Sequence, residues 1–269
     1  MVLKGIKRLV FLTNRKEYYD HIEVLYEIVK LARGRELSFL GEYKVRNIKA
    51  HCLDFLKSNF KRWNFFDDKM NFYYSLAHLK DMPVFSYALP VRMKQSKEFA
   101  IDFNDYVTDI DFSVDMDAHD VSYEICLEET KRLKECFDSF GLPYSLKFSG
   151  SGFHFNVDGL YFASKNEGGP LGKIDIYKRI AYELSFVLGL SSLDLAIYDE
   201  RRIWKMPYSF DCKSGNICLP LTDLQFNDFK KEMALPENVI KNGVRNRGLC
   251  ERPGSTENVD KFMKEWIND

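Results

Sequence analysis

The sequence is defined first by what it does without. None of its six cysteines (Cys52, Cys126, Cys136, Cys212, Cys218, Cys250) stands in a Cys-x-x-Cys pair. That argues against zinc and against a disulfide framework, and for reduced thiols in the cytoplasm. Net charge is almost absent, −1 from 39 basic and 40 acidic residues, so bulk charge announces no nucleic-acid partner. It excludes none either, because a cluster of metal-binding acids masks a local basic groove. The apolar stretch in the opening "MVLKGIKRLVFLTNRKEYY" is far too short for a signal peptide or membrane span, so no membrane partner is expected. Internal repeats, low-complexity tracts and obvious flexible linkers are missing as well.

What is present is ordinary globular material. The 269 residues are 45% apolar and 29% charged, enough for one large domain or two small ones with a sizeable core. The first third reads as helical. In "TNRKEYYDHIEVLYEIVKLARG", Asn14 is a candidate N-cap with Glu17 three residues on. Tyr18, Ile22, Leu25 and Val29 recur at helical spacing, and Gly34 is a candidate stop. "VRNIKAHCLDFLKSNFKRWNFF" predicts a second helix with Ile48, Cys52 and Phe55 on one face and a basic-aromatic end at Lys61, Arg62 and Trp63.

The middle is more informative. Residues 107–113 alternate, with Thr108, Ile110 and Phe112 on one face and Asp109 and Asp111 on the other, which predicts a strand with an apolar back and an acidic front. Asp115 and Asp117 are expected past its end, as solvated acids. A helix follows, with Tyr123, Cys126, Thr130, Leu133, Phe137 and Phe140 stepping by three and four, closed by Gly141. "PYSLKFSGSGFHFNVDG" reads as strand, Gly/Ser turn, strand. "IDIYKRIAYELSFVLG" reads as a helix with Tyr177, Ile180, Leu184 and Val187 on one face, closed by Gly189, and "SLDLAIYD" as a short strand. The order is β-α-β-β-α-β, an α+β plan in which right-handed crossovers put the first and third strands at the centre and the fourth beside the first. That topology is expected to bring together Asp109 and Asp111, His154 on the third strand and Asp194 on the fourth.

Two aspartates on one strand face lie roughly 7 Å apart and raise each other's pKa unless a cation stands between them. Three such acids suit Mg²⁺ or Mn²⁺, which prefer carboxylate oxygens and complete their shells with water and phosphates. Two ions about 4 Å apart activate a hydroxyl and stabilise a leaving pyrophosphate. A calcium loop is excluded because Val114 and Asp120 stand where an EF-hand needs Gly and Glu. In "FSGSGFHFNVD", Ser149, Gly150, Ser151 and His154 surround a turn whose backbone N–H groups can close on an anion. In "DERRIWKMPYSFDCKSGNICLPL", Arg201, Arg202, Lys205 and Lys213 with Ser209, Ser214 and Gly215 can hold a triphosphate. A plain RNA-binding sheet would carry stacking aromatics on its central strands, where this one carries aspartates.

At these residues the chain resembles the archaeo-eukaryotic primase (AEP) superfamily of primases and primase-polymerases. Three motifs carry the resemblance in order: Asp109-Ile110-Asp111, "SGSGFH" ending at His154, and the segment from Asp194 through Lys205, Pro207, Ser209, Lys213, Ser214 and Gly215. Asp211 stands where the family often has His, the turn before His154 is one residue shorter than in replicative small subunits, and no zinc knuckle is evident. Arg62 matches an N-terminal arginine segment. The likeness covers about residues 60–222. It implies an RRM-like catalytic subdomain (about 101–225) after an N-terminal α/β module (about 1–100), with a helical tail (about 226–269). It also implies template-directed nucleotidyl transfer with two Mg²⁺ or Mn²⁺ ions held by Asp109, Asp111 and Asp194. Ser149, Gly150, Ser151, His154, Arg202, Lys205, Ser209 and Lys213 would bind the nucleotide. The implied partners are a single-stranded DNA template, nucleoside triphosphates, a primer 3′ end, and further domains or CRISPR or mobile-element proteins. Alternatives are an extension-only repair polymerase, a non-catalytic DNA-binding replication initiator and a nucleotide cyclase. The C-terminal stretch predicts a helix with Val259, Phe262, Met263 and Trp266 on one side, a cap for the core or a docking element.

Overall fold

A computed structural model describes residues 17–32, 35, 37–40, 45–48, 71–80, 107–165, 169–199, 202–211, 213–244 and 252–267. In chain order the elements are α1 (Ile22–Leu31), β1 (Leu37–Leu40), β2 (Val45–Ile48), β3 (Asn71–Ser75), β4 (Ala77–Leu79), β5 (Val107–Ile110) and β6 (Phe112–Met116). Then come α2 (Tyr123–Phe140), β7 (Tyr144–Phe148), β8 (Phe153–Val157), α3 (Gly169–Leu188), β9 (Ile203–Lys205), β10 (Leu219–Leu221), α4 (Asp223–Asn227), α5 (Pro236–Asn242) and α6 (Thr256–Trp266). The fold is mixed α+β with small sheets. Among the described residues no helix is long and apolar enough to cross a membrane.

The chain forms two compact units, each from separated stretches. One comprises Met1–Ser75, Met82–Ile101 and Ile203–Asn246, the other Leu76–Asp81, Asp102–Arg202 and Arg247–Asp269. The sequence suggested consecutive segments instead. Strand pairing is the reason for the difference, since β9 adds to β3 from more than a hundred residues away.

In the first unit, β1 lies between β2 and β3, and β9 extends the antiparallel sheet beyond β3. Tyr19 packs edge-on to Phe72 at 5.0 Å, and Tyr18 edge-on to Phe210 at 5.1 Å. The Tyr18 hydroxyl donates to the Tyr208 carbonyl (2.9 Å), and the Phe210 N–H donates to the Tyr19 hydroxyl (2.9 Å). Two sequence expectations change here. The first helix is interrupted at His21, and α1 buries Val24, Leu25, Ile28 and Leu31 while Ile22 is exposed. Val45–Ile48, expected to open a helix, is a strand paired with β1, because cross-strand backbone bonding outweighs a weak helical pattern. Asn14, Gly34, Cys52, Phe55, Lys61, Arg62 and Trp63 lie outside the described residues.

The second unit keeps the expected β-α-β-β-α order up to its last strand. β8 lies between β6 and β7, antiparallel to both, and Leu193 bridges Met116 on the far side of β6. The fourth strand shrinks to that bridge. Asp194 accepts the Ala196 N–H (2.8 Å) and turns the chain into a 3-10 turn at Leu195–Ile197 in place of the expected strand. Helix α2 matches its prediction, from the Ser122 cap to Gly141 in the left-handed region. Tyr177, Ile180 and Leu184 of α3 are buried, whereas Val187 is exposed. Phe112, Val114 and Met116 on the back of β6 are fully buried. The Phe112 ring lies 5.2 Å from Tyr177 and 6.2 Å from Phe262. Helix α6 caps this core with the predicted face of Val259, Phe262, Met263 and Trp266.

The predicted strand over 107–113 is the main correction. It splits at Asp111, whose N–H donates to the Leu76 carbonyl (3.1 Å). β5 pairs with β4, and β6 pairs with β8. Asp109 therefore belongs to the strand that pairs with β4, Asp111 stands at the break, and Asp115 lies within a strand rather than past its end.

Candidate metal and nucleotide site

Alternation along β6 sends Phe112, Val114 and Met116 into the core and leaves Ser113 and Asp115 on the other face. Register then sets the neighbours. Asp115 stands opposite His154 on β8, and His154 stands opposite Lys147 on β7. The row Asp115–His154–Lys147 thus crosses three strands on the face away from the helices. The His154 Nε2 lies 3.3 Å from Asp115 Oδ1. Both His154 and Lys147 are buried, while Asp115 is half-buried.

The loop after α3 reaches the same end of β6. The Asp194 N–H donates to the Asp115 carbonyl (2.9 Å), and the Asp117 N–H donates to the Ser192 carbonyl (2.8 Å). Glu129 of α2 fixes this loop by accepting from Ser191 Oγ (2.7 Å), Ser192 N (2.7 Å) and Ser192 Oγ (2.6 Å). Burial alone would raise the Glu129 carboxyl, but these hydrogen bonds outweigh it and hold the group below its usual range. Tyr198 donates to the Ser113 carbonyl (2.9 Å). Burial first, then the charges of Asp115 and Asp194, keep its phenol well above the usual range, so both carboxylates bear on one hydroxyl. The Ser/Gly turn closes through Ser149 N–H to Gly152 O (2.8 Å) and Gly152 N–H to Ser149 Oγ (3.2 Å). A Cβ on Gly152 would lie 2.0 Å from the Met116 carbonyl oxygen, so only glycine lets the turn press against the Met116–Asp117 backbone. Gly150 adopts φ 109°, and Ser151 is exposed.

At the other end of β6, Asp109 and Asp111 are tied up in different ways. Asp109 Oδ1 accepts from the buried Lys173 Nζ (2.8 Å) and from its neighbour Ile110 N (2.8 Å). Asp111 takes His78 Nε2 (2.7 Å) and Gly159 N (3.0 Å) on Oδ1, and Asn156 Nδ2 (3.0 Å) on Oδ2. Asp194 is bonded at Asp115, four residues further along, roughly 13 Å of strand. The expected trio of Asp109, Asp111 and Asp194 is therefore not assembled. Among the described residues, the trio whose ligand atoms all lie within 4.8 Å of one another is His78, Asp111 and Asp158. Asp115, Asp117 and Asp194 lie on segments joined by backbone hydrogen bonds, and carboxylates are the ligands that Mg²⁺ or Mn²⁺ prefers.

Arg202 donates to the Ile197 carbonyl (2.8 Å) and pairs with Asp199 (2.7 Å), which fastens the turn after Asp194. The remaining predicted nucleotide contacts belong to the first unit. Lys205 Nζ lies 3.0 Å from Asp211 Oδ1. Burial would lower the Lys205 ammonium, but the Asp211 carboxylate holds it above its usual value. Burial would likewise raise Asp211, whose pairing with Lys205 and Ser214 keeps it below the carboxylate range. Ser209 is fully buried and donates to the Phe72 carbonyl (3.3 Å), whereas Lys213 is exposed. Tyr208, immediately before Ser209, holds φ 65°, a strained value for a side-chain-bearing residue. Arg201 lies outside the described residues.

Sequence reasoning passed over Asp115, Asp117, Lys147, Lys173, His78 and Glu129. The signal for the first two was present: "FSVDMD" alternates apolar and polar over six residues and holds a second Asp-x-Asp, beginning four residues after the first one ends. Lys147, Lys173, His78 and Glu129 carry no local signal.

No protein-family model matches the chain, and no curated protein matches it. Among solved structures it is similar to the polymerase domain of Mycobacterium tuberculosis Ligase D in complex with DNA, at 12% identity, covering 94% of this chain and 88% of that one, with a TM-score of 0.48. It is also similar to the AEP domain of the cyanophage S-2L primase-polymerase, at 10% identity, covering 84% of this chain and 96% of that one, with a TM-score of 0.37.

Proposed function

We propose that the chain is a DNA primase-polymerase of the AEP superfamily, a template-directed nucleotidyltransferase, with Asp115, Asp117 and Asp194 as its metal ligands. The observation that carries this reading is the register of Asp115 against His154 with the Asp194 amide on the Asp115 carbonyl. It joins an Asp-x-Asp strand, the histidine after a Ser/Gly turn and the aspartate of the third motif at one point, in the order the resemblance requires. Asp115 and Asp117 take the part first given to Asp109 and Asp111.

On this reading two divalent ions would supply Lewis acidity to the attacking 3′-hydroxyl and the leaving pyrophosphate. The residues contribute position and charge. Asp115, Asp117 and Asp194 present hard oxygen ligands. His154 and Lys147 give donors to phosphate oxygens beside them, and the 149–152 turn adds backbone N–H groups at its tip. The triphosphate roles assigned to Arg202 in the second unit, and to Lys205 and Lys213 in the first unit, are proposals that rest on the motif resemblance alone. Charge removal at each is expected to weaken nucleotide binding. The substrates would be a single-stranded DNA template, nucleoside triphosphates and a primer 3′ end, with affinity from sequence-tolerant stacking and charge.

The test is primer synthesis on unprimed single-stranded DNA with Mn²⁺, beside extension of a primed template. Synthesis on both, abolished by Asp115→Ala with Asp117→Ala, is the expected result. Extension without initiation would identify a repair-type polymerase. Wild-type levels in the double variant would refute the assignment.

A further inference from the structure

The His78, Asp111 and Asp158 cluster plays no part in the activity proposed above. It gathers one donor each from β4, from the break between β5 and β6, and from the end of β8. The His78 Nε2 lies 2.7 Å from Asp111 Oδ1 and 3.7 Å from Asp158 Oδ1. Asp109 is paired with Lys173, whereas Asp111 and Asp158 both face the His78 imidazole. One ring nitrogen and two carboxylate oxygens thus converge within 4.8 Å of one another, with Asp111 buried.

We infer that His78, Asp111 and Asp158 bind a first-row divalent cation, Zn²⁺ by preference, at a site separate from the carboxylates given to catalysis. The donor set is one imidazole nitrogen and two carboxylate oxygens, which suits zinc without cysteine and favours it over magnesium. Outer hydrogen bonds already orient the ligands. Asn156 Nδ2 and Gly159 N hold Asp111 at 3.0 Å each, and Leu160 N holds Asp158 at 2.9 Å. His78 and Asp158 are half-buried, which gives an ion an approach from solvent. The ion pins β4 and the end of β8 to the strand break. It therefore acts on stability rather than on the reaction, and the inference does not depend on the proposed activity.

The experiment uses the full chain, stripped of metal. Zn²⁺ is titrated by calorimetry, and melting is followed with and without it. The expected result is one Zn²⁺ per chain with a raised melting temperature. His78→Ala and Asp158→Ala should each weaken binding by at least about 100-fold, more than loss of an outer hydrogen bond costs. Asp194→Asn should leave it unchanged. Circular dichroism of the metal-free variants guards against misfolding, and a Co²⁺ spectrum without thiolate-to-metal charge transfer confirms nitrogen and oxygen ligands. Three results overturn the inference: no Zn²⁺ bound by the wild type, affinity unaltered in both variants, or a cobalt–thiolate band.

Discussion

β6 has an aspartate pair at each end, and the two pairs live in opposite circumstances. At the start, Asp109 is locked to Lys173 and Asp111 to His78, Asn156 and Gly159, with Tyr177 behind them donating to Ile110 O. At the finish, Asp115 and Asp117 meet Asp194, His154 and the Ser/Gly turn, with Tyr198 behind them. Each tyrosine hydroxyl is held high by burial and then by its own set of acids, Asp109, Asp111 and Asp158 for Tyr177, Asp115 and Asp194 for Tyr198. The same dipeptide spacing thus serves architecture at one end and candidate chemistry at the other. What differs is the partner across the strand, not the residue type.

This contrast can be broken most directly by removing each pair. Asp115→Ala with Asp117→Ala should lower nucleotide incorporation by at least about 1,000-fold, roughly 4 kcal/mol of barrier, with little change in melting. Asp109→Ala should instead cost about 3 kcal/mol of stability, because it strands the buried Lys173 ammonium, and leave activity per folded molecule near wild type. Urea unfolding beside steady-state rates measures both. Activity lost with stability intact at Asp109 would invert the comparison. Adding Lys173→Met to Asp109→Leu should recover most of the loss, a coupling readable in a double-mutant cycle.

Smaller effects sharpen the Asp115 end. Glu129→Gln loosens the Ser191–Ser192 anchor without touching any reacting atom. It should raise the Mn²⁺ requirement and lower kcat by about 10- to 100-fold, leaving nucleotide KM less affected. The smallest effect concerns Asp211 in the other unit. Its folded-state pKa is depressed, so its contribution is present above the ordinary carboxylate range and is lost as pH falls through the folded value. Asp211→Asn should cost about 1–2 kcal/mol at neutral pH, and wild type and variant should converge in stability once pH falls below the depressed folded-state value.

The sequence carried the β-α-β-β-α part of the order because each of those elements announces itself locally, while the last expected strand became a bridge and a 3-10 turn. Examples are the stepping apolar face of 123–140, the glycine that stops it, and the alternating pair of strands around the Ser/Gly turn. Two segments misled. Val45–Ile48 has a pattern compatible with a helix, and only the edge of β1 makes it a strand. Residues 107–117 contain two overlapping alternations, and nothing local says where the strand breaks. That choice lies with the Leu76 carbonyl, which takes the Asp111 N–H, and with β8, which takes Phe112–Met116.

By itself, then, the sequence determined the inventory: acids at two-residue spacing, a histidine after a flexible turn, a third aspartate before a basic hairpin, and the helices to support them. Periodicity fixes such things because it depends on neighbours within one turn or one pleat. Tertiary structure alone decided which aspartates face which partners. A strand's register is set by backbone bonds to distant residues, and a shift of one break exchanges an acid paired with Lys173 for one facing His154.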